Sequence, residues 1–272
     1  MPRPAVSVDA RQGSGNRNRK FSGARPLAFW GGMSHNAAAP EFLAASDFGP
    51  VRVSRMFDAA TARRHMVDGQ IRTAGVTNPR LIAAMETVPR ELFVAPPLTA
   101  QAYRDGDIAL GKGRALLRPM VLAKLIQGVG LRAGEHVLDV GCGTGYSSAV
   151  LSHMGASVVA LEEDAELARR AEAAMAAAGA KDVVLASGSL SNGWPAVAPY
   201  DFILLDGAIE VVPKALGQQL KPSGRLAAIF GSGPAAKAMV YHVIEGQLVG
   251  RPIFDAGGPL LPGFAAPPAF VF

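Results

Sequence analysis

The stretch Val137-Leu138-Asp139-Val140-Gly141-Cys142-Gly143-Thr144-Gly145-Tyr146 decides the fold. An apolar run leads straight into three glycines at alternate positions and then into a helical pattern. Without Cβ atoms such a loop turns tightly and lets a ligand approach the backbone. The free N–H groups at the start of the following helix favour an anionic group. Asp139, at the strand tip, would face a cationic one. A dinucleotide fingerprint, G-x-G-x-x-G, would place its third glycine at position 146, which is Tyr. The loop therefore departs from the pyrophosphate-binding fingerprint.

Outward from this loop the chain alternates strand and helix. His136–Val140, Ser157–Leu161, Val183–Ala186, Asp201–Asp206 and Arg225–Phe230 read as strands. Tyr146–Met154, Ala165–Ala178 (ended by Gly179) and Val212–Leu220 read as helices between them. This rhythm predicts an α/β fold: a doubly wound, mostly parallel sheet with crossover helices on both faces. Two further strand-like runs, Ala238–Ile244 and Ala269–Phe272, are expected to form an antiparallel edge. Leu220-Lys221-Pro222-Ser223-Gly224 is expected to shape a tight connection. Glu162 closes the second strand 21 residues after Gly141, where an acid can accept hydrogen bonds from both hydroxyls of a ribose. Glu163 and Asp164 beside it suit a helix start.

Before the alternating region the pattern is helical: Ala59–Gln70, then Arg80–Thr87 opened by Asn78-Pro79, then Pro119–Val129. Three parts follow: an extension over 1–55, a helical N-terminal cap with a substrate loop over 56–133, and a ligand-binding core over 134–272. The extension is rich in Arg, Gly, Ser, Asn and Pro and reads as disordered, with Met56 as a natural start. It holds eight Lys/Arg against three acids, leaving nineteen of the 27 basic and nineteen of the 22 acidic residues for the remainder. The net charge of +5 thus belongs to the extension. A body without net charge argues against a nucleic-acid partner, which needs a basic footprint. One cysteine, Cys142, excludes an intrachain disulfide and a multi-cysteine zinc site, and suits the reducing cytoplasm. The five histidines lack ligand spacing, so no metal is expected. No apolar run is long enough to span a membrane, and no secretory signal is read.

The G-x-G-x-G loop resembles motif I of class I methyltransferases. Several further segments resemble the protein-L-isoaspartate O-methyltransferase family: Met66-Val67-Asp68-Gly69-Gln70-Ile71, Val88-Pro89-Arg90-Glu91-Leu92-Phe93-Val94, Ala102-Tyr103-Arg104-Asp105, Gly193-Trp194-Pro195 and Ala198-Pro199-Tyr200-Asp201. The resemblance covers roughly residues 60–272. It implies a seven-stranded-type sheet and S-adenosyl-L-methionine as cofactor, held by Asp139, Gly141, Gly143, Gly145, Glu162, Ser189 and Leu190. It also implies methyl transfer to the free carboxylate of isoaspartyl residues in damaged proteins. A carboxylate is already nucleophilic at neutral pH, so no general base is required and no residue is assigned as catalytic. The protein's task is to hold oxygen, methyl and sulfur in line.

Two stretches depart from the family. Its substrate loop, Gln-Thr-Ile-Ser-Gln-Pro, is here Arg114-Ala115-Leu116-Leu117-Arg118-Pro119, so Leu117 replaces a hydroxyl. Its Gly-Asp-Gly is Gly188-Ser189-Leu190, with Ser189 in place of an acid. Arg114 or Arg118 is expected to grip a substrate anion, or both are solvated. Asp206 can orient a different substrate, act as a base for a hydroxyl, or cap the next helix. Two alternatives stay open beside the isoaspartyl reading: a methyltransferase for a small-molecule acceptor, and a non-catalytic module that binds S-adenosylmethionine.

Overall fold

The computed structural model describes residues 57–267. The expected extension over 1–55 and the expected strand Ala269–Phe272 lie outside the described residues. The chain first builds α1 (Ala59–Met66), which continues as a π-helical turn, Val67–Arg72, and then α2 (Pro79–Thr87). Both helices start on a side-chain cap. Asp58 accepts from the amides of Ala60 and Thr61, and Asn78 from those of Arg80 and Leu81. Two 3-10 turns, Arg90–Phe93 and Pro96–Gln101, bring the chain to a short antiparallel hairpin of β1 (Ile108–Gly111) and β2 (Arg114–Leu116). The hairpin was not legible as strands, because its second strand, Arg114–Leu116, falls inside the expected substrate loop. Next comes α3 (Pro119–Val129), with Pro119 in its first turn and left-handed Gly130 at its end.

The alternating half follows: β3 (His136–Val140), α4 (Tyr146–His153), β4 (Ser157–Glu162), α5 (Ala165–Ala177), β5 (Val183–Ser187), β6 (Tyr200–Ile209), α6 (Lys214–Gln218), β7 (Leu220–Phe230), β8 (Lys237–Ile244) and β9 (Gln247–Asp255). Seven strands form one sheet in the order β5-β4-β3-β6-β7-β8-β9. The first five run parallel and the last two antiparallel, as the α/β reading expects. The edge hairpin differs in its second strand: β8 pairs with Gln247–Asp255 across a Glu245-Gly246 turn, both residues at positive φ. Pro252 and the polar exposed face of β9 hide it from a hydrophobic-run search.

Successive residues of each central strand face opposite cores, as the period of two demands. Val137, Val158, Ala160, Phe202, Leu204, Ala227 and Ile229 join one cluster with Met66, Leu81, Val121, Ala149 and Ala171 from α1 to α5. Leu138, Val140, Leu161, Ile203, Leu205 and Leu226 join the other, which is closed by Leu190, Leu216, Leu261 and Phe264. Five helices thus cover one face, while α6, 3-10 turns and the segment around 261–264 cover the other. The helix expected over Val212–Leu220 shrinks to five residues, because Pro213 keeps the residue before it extended and β7 already begins at Leu220. Lys221-Pro222-Ser223-Gly224 forms an irregularity within β7, where a Cβ on Gly224 would stand 2.8 Å from the Lys221 carbonyl oxygen.

Strand order reverses between β3 and β6: β4 and β5 extend to one side and β7 to the other. Ligand crevices in open α/β sheets open at such a reversal, beyond the carboxyl ends of the strands. The β3–α4 glycine loop and Asp206 both lie there.

Candidate active site

Each glycine of the loop has positive φ: +74° at Gly141, +59° at Gly143 and +89° at Gly145. A Cβ on Gly141 would lie 2.8 Å from the Arg114 guanidinium, one on Gly143 would lie 2.9 Å from Leu110, and one on Gly145 would strike Met175. Close approach therefore requires glycine at all three positions, beyond the backbone conformation itself. Gly145 opens α4 with no side-chain cap, which leaves the first amides of that helix free of a side-chain acceptor. Thr144 anchors the loop from below, its hydroxyl donating to the Phe93 carbonyl at 2.6 Å.

Glu162 is fully buried at the tip of β4. Its carboxylate accepts from the amides of Gly143 (2.8 Å), Glu163 and Asp164 (3.1 Å each). Arg114 supplies a further donor, with Nη1 at 2.9 and 3.1 Å from the two oxygens, while its Nη2 donates to the Gly141 carbonyl. Arg114 is 4% exposed. The guanidinium is not solvated: it is buried against the very acid expected to hold a ribose. Lys112, in the hairpin turn, pairs with Asp164, and Asp164 caps α5. The β1–β2 hairpin thus lies over the glycine loop and the tip of β4, with Leu110 by Gly143, Arg114 by Gly141 and Lys112 by Asp164.

The other arginine of the loop, Arg118, is part-exposed and faces Asp107, which accepts from its backbone amide at 2.8 Å. Leu117 is buried at 1% exposure, and Pro119 is buried at the start of α3. Ser189 is exposed beyond β5, its hydroxyl 3.3 Å from that of Ser191, and Leu190 is buried in the second core.

Sequence reasoning missed a buried polar layer beneath the loop. Asp139, on β3, accepts at Oδ2 from the hydroxyls of Ser147 and Ser148, both at 2.6 Å. Ser147 also lies 2.8 Å from Oδ2 of Asp206 on β6. Asp206 is not a helix cap; α6 begins at Lys214 after Pro213, and Asp206 sits inside β6, where the pairing with β7 slips between Leu204 and Ala208. Such a bulge re-aims a side chain. Burial pushes the Asp139 carboxyl up to about 6 against the lowering effect of the two serines. Burial, and then the charge of Asp139, push Asp206 up to about 8. Burial also raises the Cys142 thiol and the Tyr146 phenol. Ser147-Ser148 directly after the glycine loop was the available signal, since hydroxyls in a first helical turn can reach back to a strand tip.

Arg90 is fully buried nearby. Nε donates to the Ala102 carbonyl at 2.7 Å and Nη2 to the Leu117 carbonyl at 2.6 Å, and the guanidinium stands 4.6 Å from the centroid of the Tyr146 ring. Burial lowers its pKa. Phe93 meets the same ring edge-on at 5.4 Å. Gln70 donates to the Tyr103 carbonyl, and Arg63 reaches both Tyr103 and Glu91. Segments far apart in the chain, each singled out for its resemblance, are therefore tied to one another around the glycine loop and the Leu117 turn.

The description Protein-L-isoaspartate(D-aspartate) O-methyltransferase (PCMT) is that of a family whose profile matches residues 61–249. The chain belongs to this family. A relative from Methylorubrum extorquens, described as a protein-L-isoaspartate O-methyltransferase, is 42% identical over 177 residues, 65% of this chain and 77% of the relative. One from Gloeobacter violaceus with the same description is 40% identical over 61% of this chain and 82% of its own length. A solved protein-L-isoaspartate O-methyltransferase matches with a TM-score of 0.66 and 25% identity, covering 74% of this chain and 66% of that one. A Plasmodium falciparum structure, described as a putative family member in complex with S-adenosyl-L-homocysteine, shares the fold at a TM-score of 0.63 and 15% identity, over 75% of this chain and 98% of that one. The resemblance and the α/β architecture read from the sequence are both borne out. Within this PCMT chain, a cleft of about 620 Å³ lies elsewhere, between α6 and the β8–β9 hairpin around Val212, Tyr241 and Leu248. Among the described residues, no group of three or more His, Cys, Asp or Glu is placed to hold a metal, and no helix is long and apolar enough to cross a membrane.

Proposed function

We propose that this chain is an S-adenosylmethionine-dependent O-methyltransferase acting on the free carboxylate of isoaspartyl residues in proteins or peptides. Family membership supports the activity. The observation that carries the reading to this chain's own residues is that buried Arg90 ties Ala102 and Leu117 together beside the Tyr146 ring, while the Phe93 carbonyl accepts from Thr144 of the glycine loop. The residues present fit the cofactor: a loop where no Cβ has room, uncapped amides at the start of α4, and two buried carboxyl oxygens, Oδ1 of Asp139 and of Asp206, that have no protein partner. Gly141, Gly143 and Gly145 would cradle it and Asp139 would face its cationic methionyl end. Glu162 would take the ribose hydroxyls, for which Arg114 must yield part of the carboxylate. Ser189 and Leu190 would lie beside the adenine. When bound, the cofactor supplies an electrophilic methyl group on a sulfonium, so the chain needs only to orient and shield the acceptor oxygen.

Leu117 favours a second reading, in which the acceptor is a small molecule, because a buried leucine offers an acceptor carboxylate no hydrogen bond. We place the protein in the cytoplasm, a compartment that suits its single buried cysteine, and without a nucleic-acid partner. Labelled methyl transfer to an isoaspartyl peptide, with its ordinary aspartyl isomer as control, tests the reading. Incorporation into the isoaspartyl peptide alone supports it. Incorporation only into a metabolite panel supports the second reading, and cofactor binding without transfer to any acceptor supports a non-catalytic module. Arg118→Ala beside the wild type tests the acceptor side, and unchanged turnover removes Arg118 from it.

A further inference from the structure

Asp139 and Asp206 are joined through one hydroxyl. Ser147 Oγ lies 2.6 Å from Asp139 Oδ2 and 2.8 Å from Asp206 Oδ2, yet a serine has one proton and can donate to one of them only. The second contact closes when a carboxyl carries a proton and donates it to Ser147 Oγ. Asp139 Oδ2 already accepts from Ser148, so the proton belongs on Asp206. The two remaining oxygens, Oδ1 on each residue, are buried and free of any hydrogen-bond partner in the protein. Buried acceptors without donors are costly and rare. This pair stands at the sheet's reversal point, under the glycine loop and beside the start of α4.

We infer that Asp206 is a second acidic ligand for the cationic methionyl end of the cofactor, and that binding there expels the proton the acid shares with Asp139 through Ser147. This rests on the cofactor reading above. In the ligand-free protein one proton keeps the two acids from repelling each other. An incoming cation takes over that role, sits against both Oδ1 atoms, which accept from it or face its charge, and leaves Asp206 ionised as its proton passes to solvent. The groups that set its proton affinity are Asp139 on β3, Cys142 in the loop, Ser147 on α4, Arg90 in the 3-10 turn and Arg114 on β2. Burial and the Asp139 charge hold the proton on, while the two arginines and Ser147 work against it.

Calorimetry on the full chain near neutral pH tests this, in two buffers of different ionisation enthalpy, with S-adenosylmethionine and with S-adenosylhomocysteine as separate titrants. The expected result is release of about one proton per molecule bound, with affinity rising as pH rises, by at most about tenfold per pH unit, and levelling above about 8. Release with both titrants identifies the ammonium as the partner, and release with S-adenosylmethionine alone identifies the sulfonium. Asp206→Asn should bind more weakly and release no proton. Wild-type binding without proton release, or a pH-independent wild-type affinity, overturns the inference even if the variant does not fold. Equal release from Asp206→Asn overturns it as well. No heat with either titrant on folded wild type defeats the cofactor reading itself, a different outcome.

Discussion

Replacing Arg114 by methionine keeps an unbranched apolar stem and removes the guanidinium from Glu162. Both partners are buried, at 4% and 0% exposure, so water cannot take the place of the lost cation. Removing one member of a buried pair costs about 3–5 kcal/mol, because the remaining charge stays desolvated. Three amides, from Gly143, Glu163 and Asp164, still donate to Glu162, which moves the expected loss towards the lower end. The Gly141 carbonyl loses its donor too, which adds to it. We therefore expect about 3 kcal/mol, a large part of the roughly 5–15 kcal/mol that holds a domain folded. Urea unfolding followed by far-ultraviolet circular dichroism measures it as a lower midpoint at unchanged m. Glu162→Gln in the same background should recover at least about 1 kcal/mol of the loss, since the stranded charge is gone. A loss under about 1 kcal/mol for Arg114→Met alone would refute the claim that this pair fastens the hairpin to the glycine loop.

Four further outcomes follow from the same geometry. Arg90→Ala leaves the Ala102 and Leu117 carbonyls unpaired in a buried site, so a loss of at least about 3 kcal/mol is expected in the same unfolding assay. Tyr146→Phe removes a buried hydroxyl with no partner and should leave the ligand-free protein as stable or up to about 1 kcal/mol more stable, measured by its urea midpoint. Gly145→Ala forces an alanine to φ +89° against Met175 and should cost at least about 1–2 kcal/mol, checked by thermal melting. Asp206 binds its proton more tightly folded, about 8, than unfolded, 3.8, so its contribution to stability is present at low pH and is lost as pH rises through that window. Asp206→Asn should flatten the decline between about pH 5 and 8, seen in urea midpoints across that range.

Strand after strand was legible because each central strand is a short apolar run bounded by turn residues, and the glycine loop announced its own bend. The helical cap was legible for the same reason, with Asn78-Pro79 and Pro119 marking starts. What stayed hidden depended on pairing across sequence distance. Arg114 and Glu162 are 48 residues apart and Ser147 and Asp206 are 59 apart, and no local pattern says that they meet. A cap was one of the readings open for Asp206 because Asp-Gly after an apolar run is ordinary turn chemistry, and only the bulge in β6 shows that the strand continues past it. Strand β9, broken by Pro252, was lost to a period-two search, and α6 was overestimated because Pro213 was not weighed as a boundary.

The tips of β3 and β4 are proposed to form the cofactor site. A crystal structure of the protein with S-adenosylhomocysteine tests that most directly. The predicted result has the ribose hydroxyls on the Glu162 carboxylate, the amino acid end at the Gly141–Gly145 loop above Asp139, and Arg114 shifted from its place in the ligand-free protein. A nucleoside bound away from these tips, such as in the cleft between α6 and the β8–β9 hairpin, with Arg114 still locked on Glu162, would contradict it.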